Sequence, residues 1–497
     1  MTQHFPESAE VIAALHGRLS VVAPLLAPGA DVTVPTRDLL HELSVAVQRD
    51  PTGPRSWLLF TAVAGAFPEQ PDVLDLQRRL DLSRPGAAMV AVLSATMDVA
   101  SRSTGSLRRL ELVHGGVIVD VNFCATHEHN TGIQRVVRET IPRWVDAGRD
   151  LRLVAWTRDS SVFRDIDEAE RDRVVNWNHR LNPEPQAQPD IETMVVPWQS
   201  EVFLPEVPLD SLCRPLAAIA ESSGNSVRLI GYDAIPLVSA DGQRDQESER
   251  FAHYLSIIKH SDQVLAISES AAEEFRGFVD AVSAQGLRGP KVDAVPLAVE
   301  VPAAALAVQR DTSGRPLVLC VGSHEPRKNQ EALLSAGEAL FREGVDFELV
   351  FVGGGSRTST ASFDARVKKL RSRGFDVRSL RGLTDGEMWK LFARARFTVF
   401  ISLHEGFGLP VAESLALGVP VLTSNFGSLA EIAALGGCLT VDPRDDEEIL
   451  GAMRRMLGDD ELIARLREAV AAVPQRSWQN YADELWRVAG LDGERVR

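Results

Sequence analysis

Glu405 and Glu413 lie on either side of a tight turn made by Gly406 and Gly408 in the segment HEGFGLPVAESLALGVP, His404 to Pro420. Pro410 suits the first turn of a helix, where a missing N–H costs nothing, and Gly418 suits its end. The pattern predicts a short helix whose mouth presents free backbone N–H groups near Phe407, Gly408 and Leu409, a device that attracts anions. Two carboxylates beside that mouth cannot both contact the anion. They are suited to accept paired hydrogen bonds from vicinal hydroxyls, which a sugar nucleotide carries on its ribose and on its sugar. Read alone, the same spacing also fits a surface carboxylate at 405 and a helix-favouring one at 413.

A second string, VLCVGSHEPRKNQ, places Gly322 and Ser323 at a strand end and Arg327 and Lys328 at the start of the next helix. A planar guanidinium fork beside a compact ammonium can clamp a diphosphate. A solvated helix start with Asn329 near its cap is the plainer reading of this string by itself. A third element is Gly353, Gly354 and Gly355 after FELVFV, where absent side chains let backbone approach a nucleotide. Three such devices at successive strand ends of one sheet point to a single nucleotide site.

These residues need a scaffold that brings strand ends together. After Arg315 the runs PLVLCVGS, FELVFVGGG, DVRSLRG, FTVFIS, PVLTS and CLTV are short, apolar and each followed by a plausible helix, the pattern of a parallel α/β sheet. An earlier series has the same texture: VIVDVNF, RLVAW, TMVVPW, VRLIGYDAI, QVLAIS and VDAVPLAV. Two tandem doubly wound Rossmann-like domains facing a cleft are therefore expected, with ligands outside the carboxyl ends of the strands. The boundaries read as a helical N-terminal region over 1–112, a first domain over 113–310 that takes the acceptor, a second over 311–474 that takes the donor, and a C-terminal helix over 475–497. The polar stretch Arg310 to Arg315 reads as the linker.

With 69 acidic against 53 basic side chains, the overall field repels polyanions, which argues against nucleic acid as a partner. No run of spanning length and no basic-then-apolar leader is read from the sequence, so a cytoplasmic location is expected. Cys124, Cys213, Cys320 and Cys438 read as core thiols, with neither a zinc site nor a disulfide framework. The basic run RVKKLRSRGFDVRSLR, Arg366 to Arg381, offers a peripheral membrane contact, although such runs are usually solvated helix faces.

The combination VGSHEPRKN, VGGG, LRGLTDGEMWKLFARARFTVFIS, HEGFGLPVAESLALGVPV and CLTVDP resembles the donor domain of retaining glycosyltransferases of family 4, which have the GT-B fold. The resemblance covers about Pro316 to Pro443. The closing SWQNYADELW resembles the helix that crosses back to the first domain in that family. The resemblance implies that Arg327 and Lys328 bind the donor diphosphate with help from the Phe407 to Leu409 amides. It further implies that Glu405 contacts the transferred sugar and Glu413 the ribose, with no divalent metal and no cofactor beyond the nucleoside diphosphate sugar. Similarity of the TGIQRV and YDAIP strings to mannosyl- and rhamnosyl-type transferases of surface polysaccharide synthesis implies a glycan or lipid-linked acceptor.

In the first domain, CATHEHNTGIQRVVRE lets Thr131 cap a helix that Gly132 opens beside the cleft, similar to the family's glycine loop. His127 and His129 read as solvated loop residues, since no third ligand follows at a metal-binding spacing. RLIGYDAIPL aims Tyr232 and Asp233 at the cleft, where the family usually writes His before the Asp. Asp233 can orient the acceptor, contact the donor sugar, or cap the turn before Pro236. Ser268 reads as a helix start, and Ala298 stands where the family commonly has Gly.

Departure of a diphosphate leaves positive charge on the sugar ring, so the site must stabilise both charges. A sugar-nucleotide epimerase or a phosphorylase could use the same fold, and a noncatalytic sugar-nucleotide-binding scaffold with a helical partner module could use the same binding residues. A classical NAD dehydrogenase is disfavoured because no G-x-G-x-x-G opens either domain.

Overall fold

The computed structural model describes residues 8–84, 86–183, 191–240, 246–309, 314–355, 357–473 and 476–492. The boundaries drawn at 310/311 and 474/475, and the first four residues of the expected linker, lie outside the described residues. The first sheet contains β1 (Arg109–His114), β2 (Val117–Asp120), β3 (Arg152–Trp156), β4 (Phe163–Asp165), β5 (Thr193–Trp198), β6 (Glu201–Leu204), β7 (Ser226–Gly231), β8 (Gln263–Ala266) and β9 (Lys291–Ala294). Their order is β1-β5-β4-β3-β2-β6-β7-β8-β9. All neighbours are parallel except at β4, which runs antiparallel to β3 and β5.

The second sheet is wholly parallel, in the order β12-β11-β10-β13-β14-β15. Its strands are β10 (Leu317–Val321), β11 (Glu348–Val352), β12 (Val377–Leu380), β13 (Ala395–Phe400), β14 (Val421–Ser424) and β15 (Cys438–Val441). Helices cover both faces, which is why these strands read as near-continuous apolar runs. Along β10, Val318 and Cys320 enter one core while Leu317 and Leu319 enter the other. That alternation locks the register, because a slip by one residue would exchange the two faces.

Residues 8–102 form five helices, as expected, but the stretch assigned as helical to 112 ends in a strand. β1 begins at Arg109 and forms the edge of the first sheet on β5. Its outward Arg109, Glu111 and His114 disguise it, since an edge strand can be polar on its open side. The helices are not a separate body. Leu19, Trp57, Ile118, Phe203 and Trp486 belong to one contiguous core that runs from the helical region through the first sheet to the C-terminal helix.

One expectation about membranes is corrected here. The helix Ser8–Leu26 has 19 residues with a mean hydropathy of 1.4, long and apolar enough by length and composition to span a bilayer. The buried Arg18 and the internal Pro24 hide this run. The packing ties one face of the helix to the protein, with Leu19, Val22, Ala23 and Leu26 buried. Arg18 donates to the carbonyls of Ala62 at 2.7 Å, Arg108 at 3.0 Å and Ser106 at 3.1 Å. Those acceptors satisfy a guanidinium whose pKa burial and nearby Arg108 push down to about 10.

The C-terminal helix, Trp478–Val488, returns to the first domain. Trp144 Nε1 donates to the Ala482 carbonyl at 2.8 Å, and the Trp144 and Trp486 rings meet edge-on at 5.0 Å. Trp486 Nε1 donates to Asp492 Oδ1 at 2.5 Å, and burying two indoles with both N–H groups satisfied makes this a strong anchor. The basic run spans the end of the helix Arg357–Ser372 and β12. Arg366 pairs with Glu331 and Glu338, Arg378 with Glu348, and Arg381 with Asp364, so much of its charge is neutralised locally. Cys124, Cys213 and Cys320 are buried, Cys438 is partly so, and none is in a disulfide.

Candidate active site

The carboxyl ends of β10 and β13 face the end of β7 and the start of the helix Gly132–Asp146 across a cleft, where Gly406 meets Tyr232 and Asp233, and Gly132 meets Leu409. β13 delivers the chain through Ser402 to Glu405. The turn at Gly406 to Gly408 then feeds the helix Leu409–Ala416, with Pro410 in its first turn, and Gly418 follows its end in the left-handed region at φ 73°. Gly408 is the N-terminal cap at φ 111°, and a Cβ there would lie 2.5 Å from Leu429 Cδ2. The amides of Phe407, Gly408 and Leu409 donate no hydrogen bond among the described residues.

Arg327 and Lys328 are not at the start of a helix. They lie in a 3-10 turn, Pro326–Lys328, and the helix begins at Gln330 after Asn329, whose φ is 54°. Pro326 starts the tight turn with its fixed φ, and the left-handed Asn329 ends it, its Nδ2 donating to Pro443 O at 2.7 Å. The turn bends both cations toward Glu405. Arg327 Nη1 donates to Glu405 Oε2 at 3.0 Å and to the His404 carbonyl at 3.1 Å, while Lys328 Nζ donates to Glu405 Oε1. Burial raises the Glu405 pKa, but Lys328 and Arg327 overcome it and hold the carboxylate below its usual range. It is therefore ionised at neutral pH. Arg327 Nε is engaged by Glu325 at 2.9 Å, which leaves Nη2 without a hydrogen bond to the described residues. Ser323 Oγ donates to the other oxygen of Glu325 at 2.5 Å.

Gly322 and Gly353 need to be glycines for different reasons, Gly322 for its φ of 153° and Gly353 for the closeness of its neighbour. A Cβ on Gly353 would stand 1.8 Å from the Gly322 carbonyl oxygen, so the ends of β10 and β11 touch through backbone. A Cβ on Gly322 or Gly354 would meet nothing within 4 Å. Gly354 accepts from the His324 amide at 2.7 Å and borders open space where backbone approach is unhindered.

The first domain completes the cleft. Asp233 follows β7 and its Oδ1 accepts from the Ile235 amide at 3.1 Å. Burial pushes its pKa up to about 6, with Glu274 adding to the rise and Arg327 and His404 opposing it. Tyr232 turns away and donates to Pro205 O at 2.7 Å. Gly132 opens its helix 3.7 Å from Leu409 Cδ1, counted from where a Cβ would stand, and Thr131 and Gln134 form the capping box in front of it. His127 and His129 are exposed, and among the described residues no group of three His, Cys, Asp or Glu is placed to hold a metal.

Sequence reasoning missed the partners supplied across the seam. Arg135 Nη1 donates to Glu413 Oε1 at 2.5 Å. Ser268 caps its own helix at Ala271 N and also donates to Gly406 O at 2.7 Å. Glu431 accepts from the amides of Glu269 and Ser270 at 3.0 and 2.6 Å. Glu274 and Ser239 hold the ring of His404. Arg135 was visible inside TGIQRV as a cation one turn into a cleft-facing helix; the others join segments more than a hundred residues apart and leave no local pattern.

The cluster can grip a nucleoside diphosphate. Three unbonded amides and the free face of Arg327 supply donors to phosphate oxygens, Glu405 supplies a carboxylate beside them, and Glu413 lies one turn deeper in the same helix. Replacing Glu413 with Ala removes a charged acceptor and is expected to weaken binding of free nucleoside diphosphate by about tenfold, read by calorimetry. Unchanged affinity would remove Glu413 from the ribose site.

Residues 306–472 match the family model described as glycosyl transferases group 1. The serotype-specific mannosyltransferase WbdA of Escherichia coli is 26% identical over 336 residues, which covers 64% of this chain and 38% of that protein. The O-antigen chain mannosyltransferase B of Escherichia coli is 35% identical over 165 residues, 33% of this chain and 42% of that protein. The chain thus spans about two fifths of the length of these curated relatives. Among solved structures, sucrose-phosphate synthase from Thermosynechococcus elongatus superposes with a TM-score of 0.53 at 16% identity, covering 75% of this chain and 98% of that one. Anabaena Alr3699/HepE, in complex with UDP and glucose, gives a TM-score of 0.53 at 11% identity, covering 76% and 100%. Residues 306–472, which carry the second sheet and its half of the cleft, match glycosyl transferases group 1, and the two facing sheets form a GT-B fold.

Proposed function

We propose that the protein transfers a hexose from a nucleoside diphosphate sugar to a hydroxyl of a glycan or lipid-linked acceptor in cell-surface polysaccharide synthesis, with retention of anomeric configuration and without a divalent metal. The observation that carries this reading is the Arg327–Lys328–Glu405 cluster beside the unbonded amides of Phe407 to Leu409, with Asp233 closing it from the other domain. Mannose is the favoured hexose because the relatives WbdA and mannosyltransferase B bear that specificity in their names.

In this reaction the bond between the anomeric carbon and the diphosphate oxygen breaks, and the acceptor oxygen bonds to that carbon. The acceptor proton passes to a diphosphate oxygen, so no separate general base is required. Arg327, Lys328 and the helix-mouth amides stabilise the departing negative charge, a task for which preorganised dipoles in a closed cleft are well suited. Without ligand, Arg327 and Lys328 together oppose Glu325 and Glu405, a balance of two cations against two carboxylates. An arriving diphosphate competes for the cations and frees Glu405 for a sugar hydroxyl. Gly132, beside Leu409 at the helix mouth, borders the donor from the first domain. A peripheral contact of the basic run Arg366 to Arg381 with the inner membrane face would bring a lipid-linked acceptor to the cleft.

The test is a thermal-shift and calorimetric screen of the full chain against UDP, GDP, ADP, dTDP and their common sugars, with and without chelator. A ligand that prefers the native state raises its stability. Binding that survives chelator and disappears in Arg327→Ala supports the reading. Absence of binding across the panel overturns it, whereas binding of the same kind with no transfer to any acceptor favours the scaffold alternative.

A further inference from the structure

His404 belongs to the second domain, yet its ring is held entirely by the first. Nε2 lies 2.5 Å from Glu274 Oε1, and Nδ1 lies 2.8 Å from Ser239 Oγ. The second oxygen of Glu274 accepts from the Ala234 amide at 2.6 Å, directly after Asp233. On its other side, the His404 carbonyl accepts from Arg327 Nη1, and the next residue is Glu405. The imidazole side chain is only 14% exposed and Glu274 15%, so water competes weakly for these bonds.

We propose that His404, Glu274 and Ser239 form an interdomain clasp that sets Asp233 against Arg327 and Glu405, which makes His404 a positioning residue for the transfer reaction. The inference rests on the glycosyl-transfer reading of the cleft. Its physical basis is that one side chain ties both strand-end loops of the site. The Glu274 carboxylate fixes the loop after β7 through Ala234 N and, through the imidazole, fixes the segment that presents Glu405. The nucleotide ligands lie mainly on the second domain, so the clasp governs how the two halves meet more than how tightly the nucleotide is held.

The charged groups that face the imidazole are Glu274 from the helix Glu269–Ser283, Asp233 from the loop after β7 and Arg327 from the 3-10 turn. The Glu274 hydrogen bond raises the His404 pKa above its ordinary value against the opposing effect of burial. The charge-assisted part of the clasp is therefore complete below the ordinary histidine pKa and fades as pH rises through the raised value. A neutral ring still donates from Nε2 and accepts at Nδ1, so high pH loosens the clasp without opening it.

The experiment is hydrogen exchange on the ligand-free full chain, followed by kinetics. His404→Ala is expected to speed exchange across Tyr232–Ser239 by about tenfold, with Ser239→Ala giving a smaller effect and His404→Gln, which keeps a donor and an acceptor, restoring protection. With the donor that the screen identifies, kcat in His404→Ala falls about tenfold or more while the nucleotide Kd stays within about threefold. In the parent kcat is expected to fall as pH rises through the raised His404 pKa, and in His404→Gln that fall is expected to be absent. Unchanged exchange in His404→Ala overturns the clasp, as does a joint loss of nucleotide affinity, kcat and Tm in all three variants, which would mark a purely structural role. If the parent binds no nucleoside diphosphate, the glycosyl-transfer reading fails, while the exchange result still decides whether the domains are clasped.

Discussion

Replacing Arg327 with Ala is expected to lower kcat/KM by about 10²–10³-fold and to leave the fold intact. The loss is large because Arg327 does three things at once: it faces the phosphate site with an unused Nη2, neutralises Glu405, and hydrogen-bonds the chain at His404. Arg327→Lys is expected to recover little, since an ammonium has no planar fork to serve all three. Glu405→Ala is expected to be as severe in turnover but milder in nucleotide affinity, because removing the carboxylate releases both cations for the diphosphate. Steady-state kinetics with calorimetry on free nucleotide separate the two variants. Near-normal turnover in either would exclude this cluster from the mechanism.

The second large effect is expected from a single methyl group. A Cβ at position 406 would stand 2.6 Å from the Tyr232 carbonyl and 2.9 Å from Asp233 Oδ2. Both obstacles belong to the other domain, and the first is backbone, which cannot swing aside. Gly406→Ala therefore acts as a wedge in the cleft. Misplacement by about 1 Å at a reacting centre can cost on the order of 10²-fold in rate, so kcat is expected to fall by that amount. Affinity for the free nucleotide should hold within about threefold, because its main ligands are on the 406 side of the seam. Equal losses of affinity and turnover would show instead that the glycine turn itself had collapsed.

The two halves of the fold were unequally legible. All six strands of the second sheet were readable: the four inner ones, β11, β10, β13 and β14, are apolar runs buried on both faces, and the partly exposed edges β12 and β15 continue the same strand-then-helix alternation. In the first sheet, β1, β4 and β6 escaped. β1 is a polar edge, β4 has three residues, and β6 follows β5 after only Gln199 and Ser200, so the pair reads as one run. The end of VIVDVNF also turns helical at Asn122, where the Glu206 carboxylate accepts from the Phe123 and Cys124 amides. At the site, glycines, cations and carboxylates on one sheet could be found by spacing. The seam could not, because Arg135 meets Glu413, and Glu274 meets His404, only after both domains have folded.

The return of the C-terminal helix bears on the order in which the molecule is made. The core of the first domain is completed by Trp478, Tyr481, Leu485 and Trp486, which follow the whole of the second domain along the chain. The second domain draws its cores from a continuous stretch that ends before them. On a ribosome, where domains usually form in the order they emerge, this chain reverses that order: the second domain can close while the first still waits for its final helix, with Trp144 uncovered until that helix arrives.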